Sequence, residues 1–207
     1  MVERGKADGL FINTTGIGIM TPGFRPMPEG AGPGDVVLVS GPIARHGMAV
    51  MIAHDGLGFE AEIVSDTASL VPLVALLRER LGSAVRVLRD PTRGGMASAL
   101  NEVAQAASVG ITLDEGAVPV PDDVLAACEM LGLDPLYVAN EGVMVAFVAE
   151  ERAADALSAL RAHPLGAGAV RVGRVVAEHP GLVVLQTRIG GNRIVDMLPG
   201  DQLPRIC

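Results

Sequence analysis

Residues 89–102, RDPTRGGMASALNE, join a strand, an oxygen-rich turn, a double glycine and a helix without a spare residue, and their reading decides the fold. The apolar run 85–88 just ahead reads as a short strand. Asp90-Pro91-Thr92 is turn chemistry, in which the Asp side chain bonds nearby backbone and Pro presets φ. Gly94 and Gly95 then allow close backbone approach before the helix begins. Met96, Leu100, Val103 and Ala107 fall within roughly 60 degrees of one another at about 100 degrees per residue, so this helix packs through one face. Amides left over at such a helix start carry partial positive charge and suit phosphate or carboxylate oxygens. Asp90, Thr92, Arg93, Gly94 and Gly95 are the candidate cofactor-binding residues, with Arg93 and the glycine amides as the part suited to an anion. Plain strand termination with a solvated Arg93 explains the same letters, because the stretch matches neither GxGxxG nor GxxxxGK[ST].

A second signal lies in Leu203-Pro204-Arg205-Ile206-Cys207. A cysteine in last position is unconstrained on its C-terminal side, and Gly200 and Pro204 set it on a flexible or extended arm. That geometry suits a carrier thiol. The alternative is a surface thiol with no role, although an exposed reactive sulfur is a liability unless it is used. Glu141 is the third candidate. It is the single charge in the run 137–144, placed just before a strongly apolar strand, where a carboxylate serves either as an acid or base or as a cap for loop amides.

Together these residues resemble a known family, the HypE-type hydrogenase maturation proteins. These are carbamoyl dehydratases of the superfamily that includes aminoimidazole ribonucleotide synthetase, selenophosphate synthetase and thiamine monophosphate kinase. The resemblance rests on FINTTGIGIM at 11–20, SG followed by RHGMAV within 40–50, RDPTRGGMASALNEVA at 89–104, NEG at 140–142 and PRIC at 204–207. It covers essentially the whole chain, and PRIC is its most specific part. It implies that Cys207 carries a carbamoyl group and that Glu141 acts in the dehydration. It further implies that ATP with Mg2+ activates the amide oxygen, leaving a thiocyanate that becomes a cyanide ligand of nickel-iron hydrogenase. The implied partners are a HypF-type carbamoyltransferase that loads the thiol and an iron-carrying HypC–HypD-type scaffold, with a homodimer in the complete protein.

Composition limits the other possibilities. A chain of 207 residues, 49% hydrophobic with 26 glycines and 14 prolines, is too apolar for disorder and too irregular for a helical bundle. Aromatic residues make up only 2%, so the core is built from Val, Leu, Ala, Ile and Met. A net charge of -8 with so few stacking rings argues against nucleic acid and against anionic membrane surfaces. The two cysteines, Cys128 and Cys207, form neither a metal cluster nor a disulfide framework, and Cys128 reads as a small buried hydrophobe on a helix. No metal site is expected from these residues. Without a signal peptide or a spanning apolar run, the cytoplasm is the expected compartment.

Along the chain, strands are expected at 10–13, 36–39, 59–63, 85–88, 110–113, 143–149, 170–176, 182–186 and 193–195. Helices are expected at 43–53, at 70–81, just beyond Gly95 with Met96 to Ala107 on one face, at 121–131 and at 151–161, with 136–138 open between strand and helix. His46 reads as a capping or satisfied polar residue. The closing strands suggest edges or a hairpin, with 178–181 as a turn. This order gives an α+β fold, a mixed sheet with packed helices, and the resemblance implies the C-terminal domain of aminoimidazole ribonucleotide synthetase. A Rossmann domain lacks its glycine fingerprint here.

Three segments follow: 1–34 as the remnant of an N-terminal ATP-binding domain plus connector, 35–198 as the α+β domain, and 199–207 as the carrier tail. The acidic metal-phosphate loops and catalytic lysine of the family are expected upstream, so this portion alone is expected to be inactive. Two other readings stand beside the dehydratase. A selenophosphate synthetase-like enzyme explains DPTRGG but leaves Cys207 idle, and a noncatalytic docking module explains the missing ATP-binding half.

Overall fold

Four consecutive apolar residues make strand β1 (Val36–Val39), and all four are fully buried because the two-residue period sends them to two different cores. Val37 and Val39 join one apolar cluster, Val36 and Leu38 the other. The computed structural model describes residues 15–55 and 63–197. Its other strands are β2 (Val85–Arg89), β3 (Gly110–Asp114), β4 (Val145–Val148), β5 (Val170–Val176), β6 (Val183–Gln186) and β7 (Asn192–Ile194). They form one sheet in the order β2-β4-β1-β5-β3-β6-β7, antiparallel at every pairing except the parallel β3–β6.

Helices cover both faces. On one lie α1 (Arg45–Asp55), α3 (Gly95–Ala107) and α4 (Asp122–Leu131), which bury Met48, Leu100, Val103 and Val124 against Val145 and Phe147. On the other, α2 (Val71–Leu81) and α5 (Ala153–Arg161) bury Leu73, Leu77 and Leu160 against Ala146 and Val148. Each fully buried Leu or Val contributes about 1.5–3 kcal/mol relative to exposure, so the doubly covered strands β1 and β4 form the stable centre. Cys128 lies in the first cluster, and burial, with Asp134 and Glu129 nearby, pushes its thiol up to about 11 from the ordinary 9.0. This mixed α+β architecture is the one expected.

The differences in detail have local causes. Helix α1 starts at Arg45 rather than Ile43 because Ala44 is left-handed, with φ 72, and gives its amide to a side chain elsewhere. The open stretch at 136–138 becomes a 3-10 turn, Pro135–Tyr137, capped by Asp134 Oδ1 accepting from the Leu136 amide at 3.0 Å. The turn at 178–181 does not close a hairpin between β5 and β6, because β3 lies between them and pairs with both. Bare glycines on this path let backbone cross close to backbone, Gly110 against Glu178 and Gly173 against Thr112. The hairpin is instead β6–β7. Ile63 lies outside any strand, and the rest of the strand expected at 59–63 lies outside the described residues, as do the strand expected at 10–13 and the tail 199–207 with Cys207.

The connector segment is fastened to the domain. The Met27 amide donates to Arg86 O at 3.0 Å, the Gly34 amide to Val175 O at 3.0 Å, and Phe24 is buried beside the α2–α5 face.

Candidate functional site

Strand register creates the site. Val145, at the start of β4, pairs with Val39 at the end of β1 on one side and with Arg89 at the end of β2 on the other. The segments leaving β1, leaving β2 and entering β4 therefore meet at one end of the sheet. These are the three stretches carrying RHGMAV, DPTRGG and NEG.

Asn140 locks them together. It is fully buried, and its side chain donates to Pro91 O at 3.0 Å and to Val138 O at 3.0 Å while its Oδ1 accepts the Ala44 amide at 2.7 Å. Its own amide donates to Pro91 O at 3.1 Å. One side chain thus satisfies an amide at the start of α1 and a carbonyl in the β2–α3 turn. A buried amide group survives only when its hydrogen bonds are made, so the three segments are mutually fixed.

In the β2–α3 turn the Thr92 amide donates to Asp90 O and the Gly95 amide to Thr92 O, each at 3.0 Å. Gly94 is the left-handed N-cap of α3, with φ 70, and a Cβ there would run into the Ser98 hydroxyl. Gly95 has φ 61, and a Cβ on it would lie 2.5 Å from Leu136 O and 2.7 Å from Val138 O. The close approach that the double glycine permits is therefore to the chain's own 3-10 turn, and the Gly95 amide already has an internal partner. Asp90 and Arg93 are exposed and Thr92 is half-buried, so these three remain presented to the outside. Arg89 forms an ion pair with Glu102 that ties the end of β2 to α3.

Beside the turn runs a cleft of about 720 Å³ whose walls include Asp90, Arg89, Arg78, Leu88, Met144 and Met20. Glu141 is half-buried on the neighbouring loop. Its amide donates to Asp66 Oδ1 at 3.1 Å, and its carbonyl accepts from the Ala68 amide at 3.5 Å. Gly142 has no room for a Cβ because Asp66 O lies against it. Ser65 Oγ is 2.9 Å from His46 Nδ1 and 2.7 Å from Thr67 Oγ1, which makes His46 the satisfied polar residue its sequence position suggests. Among the described residues there is no group of three or more His, Cys, Asp or Glu that could hold a metal ion.

Asp90, Thr92, Arg93, Gly94, Gly95 and Glu141 are thus brought to one end of the sheet, while Cys207 lies outside the described residues. Sequence reasoning gave no role to Asn140, Asp66 or Ser65. The Ser-Asp-Thr run at 65–67 signals a loop, but nothing local tells which distant amide it holds.

The family described as AIR synthase related protein, C-terminal domain, matches residues 32–185. The carbamoyl dehydratase HypE of Bradyrhizobium diazoefficiens is 54% identical over 207 residues, covering 100% of this chain and 60% of that protein. The solved structure of hydrogenase maturation protein HypE in complex with ATP is similar with a TM-score of 0.83 at 45% identity, over 88% of this chain and 55% of that one. A crystal structure of a HypE–HypF complex gives 0.79 at 44% identity, over 83% and 55%. The chain belongs to the AIR synthase related C-terminal domain family and, within it, to the HypE-type hydrogenase maturation proteins. It spans about 60% of the length of the curated relatives it matches.

Proposed function

We propose that this chain is the C-terminal part of an ATP-dependent dehydratase that converts a carboxamide carried on the Cys207 sulfur into a thiocyanate for cyanide-ligand synthesis in nickel-iron hydrogenase maturation. The observation that carries the reading is the Asn140 tie, which sets the Glu141 loop against the turn bearing Asp90, Thr92 and Arg93. The relatives named carbamoyl dehydratase support the reaction class.

The chemistry removes the amide oxygen and two nitrogen protons from a thiocarbamate. ATP, when bound, supplies phosphate as the group with which that oxygen leaves, so no free hydroxide is expelled and the carbon is left triply bonded to nitrogen. Glu141 takes one of the nitrogen protons, and the other leaves with the departing phosphate, so that water is lost overall. Arg93 and Thr92 face the developing negative charge, where an Arg and a hydroxyl stabilise oxygen most when charge forms. The metal and nucleotide ligands belong to the upstream domain in this reading, with 1–34 its remnant and connector, 35–198 the domain described above and 199–207 the carrier tail. The 207-residue chain alone is expected to turn over negligible ATP while remaining folded.

A HypF-type carbamoyltransferase loads the sulfur, in keeping with the solved HypE–HypF complex, and an iron-carrying HypC–HypD-type scaffold receives the cyano group. The complete protein works as a homodimer in the cytoplasm; no described helix is long and apolar enough to cross a membrane.

The test is the intact mass of the upstream-extended protein after incubation with its carbamoyl donor system and ATP. A carbamoyl increment followed by a cyano increment is expected, both on Cys207 by peptide mass spectrometry. Deleting Cys207 or changing it to Ser abolishes both, since serine lacks comparable nucleophilicity. Normal product after Cys207 deletion rejects the carrier role.

A further inference from the structure

The proposed mechanism needs Glu141 at a fixed place, yet Glu141 sits on a loop, and loops position side chains poorly unless other groups hold them. Two hydrogen bonds to its backbone come from the segment joining α1 to α2. Asp66 Oδ1 accepts the Glu141 amide at 3.1 Å, and the Ala68 amide approaches the Glu141 carbonyl at 3.5 Å. Both polar groups of the Glu141 peptide backbone are thus met by residues two apart on one segment. Gly142 has no Cβ, and the Asp66 carbonyl occupies the space where one would stand, so the two segments lie closer than ordinary side chains permit. The 65–67 turn is itself braced. Ser65 Oγ receives the Thr67 amide at 3.1 Å and contacts Thr67 Oγ1 at 2.7 Å, and His46 Nδ1 on α1 meets Ser65 Oγ at 2.9 Å.

From this geometry we infer that Asp66 is a positioning residue for Glu141, holding the loop through the Glu141 amide, and that His46 and Ser65 hold Asp66 in turn. The inference rests on the reading of Glu141 as the proton acceptor. Asp66 Oδ2 is buried with no hydrogen-bond partner among the described residues, an unmet acceptor that ordinarily costs about 1–3 kcal/mol, so the bond that Oδ1 makes to the Glu141 amide is the one this side chain is seen to serve there. Asn140 is pinned to Pro91 and Ala44, and the segment 65–68 adds a separate restraint on the next residue of the loop.

Two measurements test it together. In the upstream-extended protein, carbamoylated on Cys207 and mixed with ATP, single-turnover formation of the cyano product is followed by intact mass. In the same protein, hydrogen exchange is followed at the Glu141 amide. Asp66→Asn keeps an oxygen acceptor and is expected to stay within about threefold of the unsubstituted rate with exchange unchanged. Asp66→Ala is expected to slow dehydration by about tenfold to a hundredfold, the effect of a small misplacement of a reacting group, with faster exchange at Glu141 and unchanged carbamoyl loading. A normal rate in Asp66→Ala overturns the proposal. So does a slow Asp66→Asn with unchanged exchange, because Asp66 would then act on the chemistry through its charge. If Asp66→Ala fails to fold, Ser65→Ala gives the same reading, a smaller slowing that must come with faster exchange at Glu141; a normal rate there overturns the proposal too. Failure of the underlying base reading has its own signature, since Glu141→Gln would then form product at the normal rate.

Discussion

The 90–95 turn and the 140–142 loop meet at one hydrogen-bonded carbonyl, Pro91 O, but they are held by different means. The turn keeps its shape through bonds between near neighbours, Thr92 to Asp90 and Gly95 to Thr92, and through two glycines with positive φ. The loop keeps its shape through groups far away in sequence: Asn140 reaches Pro91 across 49 residues and Ala44 across 96, and Glu141 reaches Asp66 across 75. Local backbone chemistry makes a rigid platform from few residues. Distant polar ties make a loop whose position reports on the whole end of the sheet.

Substitutions separate the two. The largest loss of stability is expected for Gly95→Val, because its Cβ would fall 2.5 to 2.8 Å from three backbone atoms of residues 136–138 at a φ that a branched residue resists. A loss of about 3–5 kcal/mol is expected in urea unfolding of this chain, and a change below about 1 kcal/mol would show that the 3-10 turn yields easily. Asn140→Ala comes next, at about 2–4 kcal/mol, because it removes the side-chain partner of the Ala44 amide and of the Val138 carbonyl in the interior, while Pro91 O keeps the Asn140 amide. Its distinguishing mark is where the damage appears: exchange of the Ala44 amide and of α1 should rise, while the 90–95 turn stays protected. Equal loosening of both would merge the two regions into one unit.

Smaller still is the stability effect of Glu141→Gln and Arg93→Ala, each within about 0.5 kcal/mol by thermal or urea melts, since neither side chain is fully buried. In the upstream-extended protein, Glu141→Gln is expected to accept the carbamoyl group and stall before the cyano product, and Arg93→Ala to weaken the nucleotide-dependent step. A well-folded Glu141→Gln protein that makes product rapidly excludes an essential proton-transfer role.

The smallest effect concerns the two thiols. Cys128 in the folded protein keeps its proton up to about 11 against an ordinary 9.0, so the folded state binds more protons than the unfolded one between those values. The stability that Cys128 contributes is complete below pH 9.0 and is lost as the pH rises towards about 11. Brief alkylation of the folded chain at pH 8 should therefore mark Cys207 and spare Cys128, read by peptide mass spectrometry. Rapid labelling of Cys128 would mean that its helix opens on that time scale.

What could be seen in the sequence follows the same division. The run at 85–107 was legible because turn chemistry, glycine freedom and a helical face are all written within about twenty residues. The strands of β1 and β4 were legible as unbroken apolar runs. By contrast, the position of β3 between β5 and β6 depends on pairing across distant segments, and the turn at 178–181 looks the same whether it closes a hairpin or crosses over a strand. Asn140 and Asp66 escaped for the same reason: their sequence neighbours do not say which distant amides they serve. Glu141 stood out as the single charge ahead of an apolar strand, the resemblance gave it a part in the dehydration, and the structure supplies groups around it.

The place of β1 in the sheet also sets an order on the making of the protein. Its partners are β4 and β5, so Val36 must wait for Val148 and Arg174 to be synthesised before its edges are closed. During translation the run Val36–Val39 emerges before either partner, apolar on both sides and with its backbone groups unmatched on both edges. Such a strand is sticky until its late neighbours arrive, so folding from the ribosome is expected to be slow and to depend on something that shields this segment meanwhile.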